Sequence, residues 1–186
     1  NNFISFKVET EHGNVETAGN SFSVTLTARD TYGNTTPSYT GAHNINWTWT
    51  ASNSPNGTPP TKPSNGSQTF ASGVATIAGF TLTNAGETPT ISANDGAGVS
   101  GTSNPITVNS NTADSFTVVT EHNGIETAGT SFSVTVTAKD AYGNTAVGYT
   151  GLHNISWTWT ATNSPNGTPP TKPADGNRSF TNGITT

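Results

Sequence analysis

Apolar and polar residues alternate along several short stretches of this chain, which is the pattern of half-buried β-strands. In SFSVTLTARD, Phe22, Val24 and Leu26 share one face, whereas serine and threonine occupy most of the other. INWTWT alternates in the same way, and five further stretches are predicted as strands: FISFKVE, SQTF, GVATIAGFTL, TPTISAND and NPITV. Glycine, asparagine and proline separate these stretches, and none keeps a 3.6-residue period. The pattern therefore predicts an all-β fold with about seven strands and almost no helix.

The strand pattern occurs twice. SFKVETEHGNVETAGNSFSVTLTARDTYGN, from position 5, aligns without a gap with SFTVVTEHNGIETAGTSFSVTVTAKDAYGN, from position 115. The copies are identical at roughly two-thirds of the aligned positions, which indicates a tandem repeat of about 110 residues. We therefore expect a complete unit at 1–110 and a second unit at 111–186 that lacks its last strands. About seven strands per unit predict an immunoglobulin-like antiparallel β-sandwich. In the second copy the expected inward residues are Phe132, Val134 and Val136.

A longer series of residues supports the same assignment. The first unit contains ETAGNSFSVTLTARDTYGN, then YTG, a tryptophan-bearing strand and GVATIAGFTLTNAGETPTISANDGAGVSGTSNPITV. This series resembles the bacterial Ig-like tandem repeats of large surface proteins and adhesins, although the SNSPNGTPPTKP segment is longer than the short turn usual in that family. The resemblance implies a non-catalytic, extracellular, cell-surface module in the stalk or fibre of an adhesin or filament. Its expected partners are neighbouring repeat units or subunits of the same protein.

Composition narrows the choice of function. Only 9% of the residues are charged, the net charge is −5 and the pI is ≈ 5.1, so we expect no basic surface for nucleic acid. No apolar run is long enough to span a membrane, and NNFISFKVET lacks the regions of a signal peptide, so any export signal is expected outside this chain. The absence of cysteine excludes disulfides and thiolate catalysis, and the additional absence of methionine suits a protein exposed outside a cell.

No arrangement of residues typical of catalysis is evident. No serine lies in a GxSxG elbow, and neither HExxH nor a phosphate-binding glycine loop occurs. The acidic residues are not framed by the aromatic cleft that glycoside hydrolysis requires. Glu11 and Glu16, with their copies Glu121 and Glu126, are expected beside a turn at the sheet edge, where charge discourages strand pairing. We therefore expect a protein that is not an enzyme.

Metal binding has a weak candidate in each copy, in the segments ARDTYGN and AKDAYGN. Asp30 and Asp140 are candidate calcium ligands, and Asp30 would need oxygens from Glu11, Glu16 or Asn34. The alternative, which the lack of an acidic cluster favours, is that each aspartate hydrogen-bonds the backbone of its own turn. The histidines are expected as polar residues at strand ends rather than zinc ligands, and they are His12, His43, His122 and His153.

The tryptophans of INWTWT allow two interpretations. Ile45, Trp47 and Trp49 lie on one face of the predicted strand, so both indoles would continue an apolar core. Exposed, they would instead form a flat platform on which a sugar ring can stack. The pattern favours core packing for Trp47, whereas Trp49 is next to the loop and is expected to be half exposed.

The loop SNSPNGTPPTKP is expected to be stiff and to lie on the surface, because consecutive prolines favour an extended course. Such a loop is suited either to binding a partner or to lying along a neighbouring domain. The candidate contact residues are therefore Trp49, Pro59, Pro60 and Lys62, and their copies Trp159, Pro169, Pro170 and Lys172.

The second unit has no counterpart of IAGFTLTNAGETPTISANDGAGVSGTSNPITV. A sandwich without those strands exposes a hydrophobic groove and open edges. We expect the residues that follow in a longer parent protein to fill the groove, and strands donated by a neighbouring subunit are the alternative. A different class of function also stays open, namely a carbohydrate-binding module that presents Trp49 and the proline-rich loop to a surface glycan.

Overall fold

The computed structural model describes residues 5–186, and the regular structure of this part of the chain is entirely β-strand. The strands in the first copy of the sequence are β1 (Ser5–Thr10), β2 (Val15–Thr17), β3 (Ser21–Arg29), β4 (Gly41–Trp49), β5 (Gly66–Phe70), β6 (Val74–Thr81), β7 (Ile91–Asn94), β8 (Ser100–Thr102) and β9 (Thr107–Asn109). Those in the second copy are β10 (Ser115–Thr120), β11 (Val134–Lys139), β12 (Gly151–Ile155), β13 (Gly176–Phe180) and β14 (Ile184–Thr185). The prediction of an all-β fold is confirmed.

Each stretch predicted as a strand in the first copy contains one. Phe3 and Ile4, at the start of FISFKVE, lie outside the described residues. Strands β2 and β8 were not predicted, because three residues are too few to show an alternating pattern. Residues 5–186 include no helix that is long and apolar enough to cross a membrane.

The strands of the first copy form three sheets. Their orders are β1–β3–β6, β5–β4–β7–β8 and the pair β2–β9, which is parallel, whereas the other pairs are antiparallel. The inward side chains of the two larger sheets meet in a single buried cluster, to which the first contributes Phe6 and Val24 and the second Ile45 and Ile91. Several antiparallel sheets around one apolar core are consistent with a β-sandwich.

Alternation along β3 and β4 explains how this core forms. Every second residue of β3, beginning with Phe22, is buried, and the intervening residues are partly exposed. On β4, Ile45 and Trp47 are buried and Asn46 is exposed between them. The Trp47 ring packs edge-on against Phe80 at a centroid distance of 5.0 Å, and Phe80 also stacks on Phe22. Burying an indole removes about 150–250 Å² from water and contributes several kcal/mol to stability.

The chain forms two compact units. The first comprises the chain up to Asn111 together with Asp140–Asn144, and the second comprises Thr112–Lys139 and Thr145–Thr186. A five-residue segment from the second copy of the sequence therefore belongs to the first unit. Nothing in the alignment of the two copies indicates this assignment.

The second unit has a smaller core, formed by Val136, Ile155 and Phe180. Its sheets are β10–β11–β14 and β12–β13. The prediction that Phe132 lies on the inward face of a strand is wrong, because β11 begins at Val134 and Phe132 is 42% exposed. In the first unit the equivalent Phe22 is covered by Phe80 of β6, whereas the second copy of the sequence contains no residue equivalent to Phe80.

Candidate functional site

The segment Asp140–Asn144 folds into a turn that its own aspartate holds together. The Asp140 carboxylate accepts hydrogen bonds through Oδ1 from the backbone amides of Tyr142 and Asn144, both at 2.9 Å. The Gly143 amide donates to the Asp140 carbonyl at 3.0 Å, and Gly143 adopts a φ of 79°. A glycine suits that left-handed conformation, so the D-x-Y-G-N sequence fixes the shape of the turn locally.

Asn144 joins this turn to the rest of the first unit. Its side-chain amide donates from Nδ2 to the Thr83 carbonyl and accepts through Oδ1 from the Ala85 amide, each at 2.9 Å. A single side chain therefore satisfies one acceptor and one donor of the backbone beyond β6, as the main chain of a neighbouring strand would. Asn144 is only 3% exposed, so these bonds form away from water.

Two further asparagines flank the turn. Asn56, from the proline-rich loop, donates from Nδ2 to the Ala141 carbonyl at 3.0 Å. Asn111 donates through its backbone amide to Asp140 Oδ2 and through Nδ2 to the Ala18 carbonyl, both at 3.0 Å. Two amide side chains and one carboxylate thus link the turn to separate segments of the first unit, and the Asn111 side chain joins one of these segments to Ala18. We call the residues that receive the turn, Gly19, Asn56, Thr83 and Ala85, the acceptor surface.

Gly19 is the apolar part of the acceptor surface. Gly19 has a φ of 82°, and a Cβ attached to it would overlap the ring of Tyr142. The close approach of the ring and the left-handed backbone therefore both require glycine at this position. The Gly19 amide donates to the Leu82 carbonyl at 2.7 Å, which holds Gly19 beside the segment that contains Thr83.

The groups in this arrangement are suited to binding a protein segment. Its polar groups are amides, carbonyls and the Asp140 carboxylate, which accepts donors on both oxygens. Buried polar groups that are fully hydrogen-bonded hold a contact in one defined geometry. The acceptor surface and the turn that fills it are therefore best described as an interaction site.

The other candidate metal ligand, Asp30, has the same local role. Its Oδ1 accepts from the amides of Tyr32 and Asn34 at 2.9 Å, as expected for an aspartate that closes its own turn. Glu11 instead accepts from the Ser23 amide and hydroxyl, and Glu16 pairs with His12. The structure therefore does not bring Asp30, Glu11 and Glu16 together. Within residues 5–186, no group of three or more His, Asp or Glu side chains could hold a metal ion.

The histidines have defined partners in both copies. His12 Nδ1 lies 2.8 Å from Glu16 Oε2, and His122 Nδ1 lies 2.7 Å from Glu126 Oε2. The hydrogen bond to Glu16 raises the pKa of His12, and the same contact with Glu126 raises the pKa of His122. Glu16 lies beside the turn at residues 11–14, as expected, but its charge does not prevent strand pairing, because β2 pairs with β9 and Glu16 is 3% exposed with its carboxylate toward His12.

The other histidines stack on tyrosines. The His43 ring lies 3.9 Å from that of Tyr39, and the His153 ring lies 3.8 Å from that of Tyr149. Burial raises the pKa of Tyr39 to about 12, and the charge of Asp95 adds to this effect. These rings extend the aromatic packing of each unit.

The tryptophans of the first unit do not form a sugar platform. Trp47 is 2% exposed, and its backbone amide donates to Asn65 Oδ1 at 2.9 Å. Trp49 is half-buried against the core. In the second unit Trp159 is 44% exposed, while Trp157 packs against the smaller core.

The proline-rich loop lies on the first unit through its backbone. Thr61 and Thr81 exchange backbone hydrogen bonds of 2.9 and 2.8 Å, and the Thr83 hydroxyl donates to the Thr58 carbonyl at 3.0 Å. Pro59 is exposed, whereas Pro60 and Lys62 are half-buried. In the second copy Pro169, Pro170 and Lys172 are all exposed, and Lys172 pairs with Asp175 at 2.9 Å.

The residues that build the interaction site were not among the predicted contact residues. Asn144, Asn56, Gly19 and Thr83 each look like an ordinary turn residue in the sequence. The available signal was the recurrence of D-x-Y-G-N with its tyrosine in both copies, because a local turn does not require an aromatic ring. A search of protein-family models finds no match to this chain, and a search of curated proteins finds none with significant similarity.

Proposed function

We propose that this protein is a non-catalytic structural module of a bacterial cell-surface stalk, fibre or filament, built from tandem immunoglobulin-like units of about 110 residues. The observation that carries the proposal is the inclusion of Asp140–Asn144, a segment of the second sequence copy, in the first compact unit. In tandem-repeat proteins each repeat packs against its neighbours in the sequence, and the packing of a segment of one copy in the unit formed by the other is of this kind. The all-β architecture and the absence of cysteine and methionine support the same assignment.

The chemistry of the contact also supports a structural role. The Asn144 amide and the Asp140 carboxylate bond mainly backbone groups, and both side chains are buried. Buried residues that satisfy backbone groups stabilise a fold and are closed to a soluble substrate. In this proposal the repeat surface around Gly19 serves the next repeat of the array.

Cell-surface location is tested by immunogold labelling of intact source cells with an antibody raised against the chain. We expect label on the outer face of unpermeabilised cells. Label that is seen only after permeabilisation would contradict an extracellular stalk. An antibody against a cytoplasmic protein serves as the control for cell integrity.

The second unit supports a further part of the proposal, completion by added strands. Phe116, Val118 and Phe132 are each more than 40% exposed, whereas the equivalent Phe6, Val8 and Phe22 are buried in the first unit. In this proposal added strands that take the place of β6, β7, β8 and β9 cover that face, either from a longer parent chain or from a neighbouring subunit. Electron microscopy of the 186-residue chain distinguishes the two sources, because only donation between subunits gives fibres.

Exposure of Trp159 favours one alternative, a carbohydrate-binding module. An indole that is 44% exposed beside the proline-rich loop can stack on a sugar ring. A glycan array with the intact chain and with a Trp159→Ala variant tests this function. Binding that the variant loses would favour the alternative, whereas a blank array with both proteins would favour the structural module.

A further inference from the structure

The first sequence copy carries a second loop of the same kind, Asp30–Asn34, in a different setting. DTYGN and DAYGN differ only at their second residue. Tyr142 is half-buried and Asn144 is buried, but Tyr32 is 83% exposed and Asn34 is exposed. Tyr32 therefore lacks most of the contact that Tyr142 makes.

The exposed loop already has the conformation of the bound one. Asp30 Oδ1 accepts from the amides of Tyr32 and Asn34 at 2.9 Å, the same distances that Asp140 shows. The Asp30 amide donates to the Asn34 carbonyl as the Asp140 amide does to the Asn144 carbonyl, both at 2.9 Å. A loop that needs no rearrangement loses little conformational entropy on binding.

The side chains of Asn34 and Asn144 have different hydrogen-bond partners. Asn144 Nδ2 donates to the Thr83 carbonyl, and Asn144 Oδ1 accepts from the Ala85 amide. The hydrogen bond found for the Asn34 side chain is a longer one, 3.3 Å to Asp30 Oδ2. Asn34 therefore retains the capacity for the two bonds that define the interaction site.

We propose that the Asp30–Asn34 loop is a docking surface for another copy of this repeat, one whose acceptor surface is vacant. The proposal rests on the structural function proposed above. Tyr32 then packs on the Gly19 position of that copy, and Asn34 bonds its Thr83 carbonyl and Ala85 amide. The acceptor surface within this chain is already filled by Asp140–Asn144, so the partner is a further repeat.

Tyrosine nitration tests the proposal, because each loop carries its own reporter. The 186-residue chain and a version preceded by an extra copy of residues 1–110 are treated with tetranitromethane, and peptide mass spectrometry follows each tyrosine. The added copy carries Tyr32→Phe, so that the extended chain has a single Tyr32. In the 186-residue chain we expect Tyr32 to react faster than Tyr142. In the extended chain we expect the rate at Tyr32 to fall to that of Tyr142 in the same sample.

Asn34→Ala in the 186-residue part of the extended chain, with the added copy unchanged at this position, is the matched variant. It removes the amide that would bond the partner, and since Asn34 is exposed the fold itself should be retained, which circular dichroism checks. We expect the variant to restore fast nitration of Tyr32. Slow nitration in the variant would show that Tyr32 is covered in some other way and would overturn the assignment of Asn34.

Failure of the inference differs from failure of the proposed function. If Tyr142 is protected but Tyr32 stays reactive in the extended chain, the docking surface is wrong and the structural module stands. If Tyr142 reacts as fast as Tyr32 in the 186-residue chain, the packing of Asp140–Asn144 is wrong, and both proposals fall.

Discussion

At the scale of the residue, identical side chains have different roles because their surroundings differ. Asn34 and Asn144 occupy the same position in the two sequence copies, yet one is exposed and the other buried between Thr83 and Ala85. The sequence was sufficient to place Trp47 in the core, since alternation defines an inward face. It did not predict burial of Glu16, because the pairing with His12 depends on a turn of the backbone.

The His12–Glu16 pair predicts a pH dependence. Because the hydrogen bond to Glu16 raises the pKa of His12 above 6.5, the pair stabilises the fold fully below the pKa of the unfolded chain. This contribution is lost as pH rises through the folded-state pKa of His12. We expect urea midpoints to fall across that range and His12→Gln to flatten part of the fall. His122→Gln should flatten it in the same way, because the contact with Glu126 raises the pKa of His122. A wild-type midpoint that does not change with pH would contradict the pairing.

The aspartate turns predict indifference to calcium. Asp30 Oδ1 and Asp140 Oδ1 each accept two amides of their own turn, and among residues 5–186 neither aspartate belongs to a group of three or more His, Asp or Glu side chains that could hold a metal ion. We expect a chelator to leave the melting temperature unchanged, as measured by circular dichroism with and without added calcium. A fall on chelation, reversed by calcium, would restore the metal-site interpretation.

At the scale of the element, the strands were the most predictable feature. Alternation over five or more residues identifies a strand because one face must be apolar to pack, as β3 and β6 show. The short strands β2 and β8 have no such pattern, since their pairing is decided by backbone partners far along the chain, such as β9 for β2. The proline-rich loop was predicted to lie on the surface, but its bonding to Thr81 and Thr83 depends on tertiary structure.

Strand β4 predicts unequal effects for its two tryptophans. Trp47→Ala removes a fully buried ring and should lower the free energy of unfolding by about 3–5 kcal/mol. Trp49 is half-buried, so Trp49→Ala should cost roughly half as much. Urea denaturation followed by far-ultraviolet circular dichroism measures both. Equal effects, or a larger effect at Trp49, would contradict the assignment of Trp47 to the core.

At the scale of the whole molecule, the sequence repeat and the compact units do not coincide. Alignment predicts units at 1–110 and 111–186, whereas contacts assign Asp140–Asn144 to the first unit. Periodicity along a strand reports which face is buried but carries no information on what buries it. The interaction site depends on four segments far apart in the chain, so only the three-dimensional structure reveals it.

The central claim is that Asn144 is a structural part of the first unit. Asn144→Ala leaves the buried Thr83 carbonyl and Ala85 amide without partners, which should lower the free energy of unfolding by about 2–4 kcal/mol. Asn34→Ala, at the equivalent exposed position, should change it by no more than about 0.5 kcal/mol.

The most direct measurement is amide hydrogen exchange at Ala85 by nuclear magnetic resonance. The Ala85 amide donates to Asn144 Oδ1, so its exchange reports on this one bond. We predict slow exchange in the wild-type chain and in Asn34→Ala, and fast exchange in Asn144→Ala. Exchange at Ala85 that is the same in all three proteins would contradict the account.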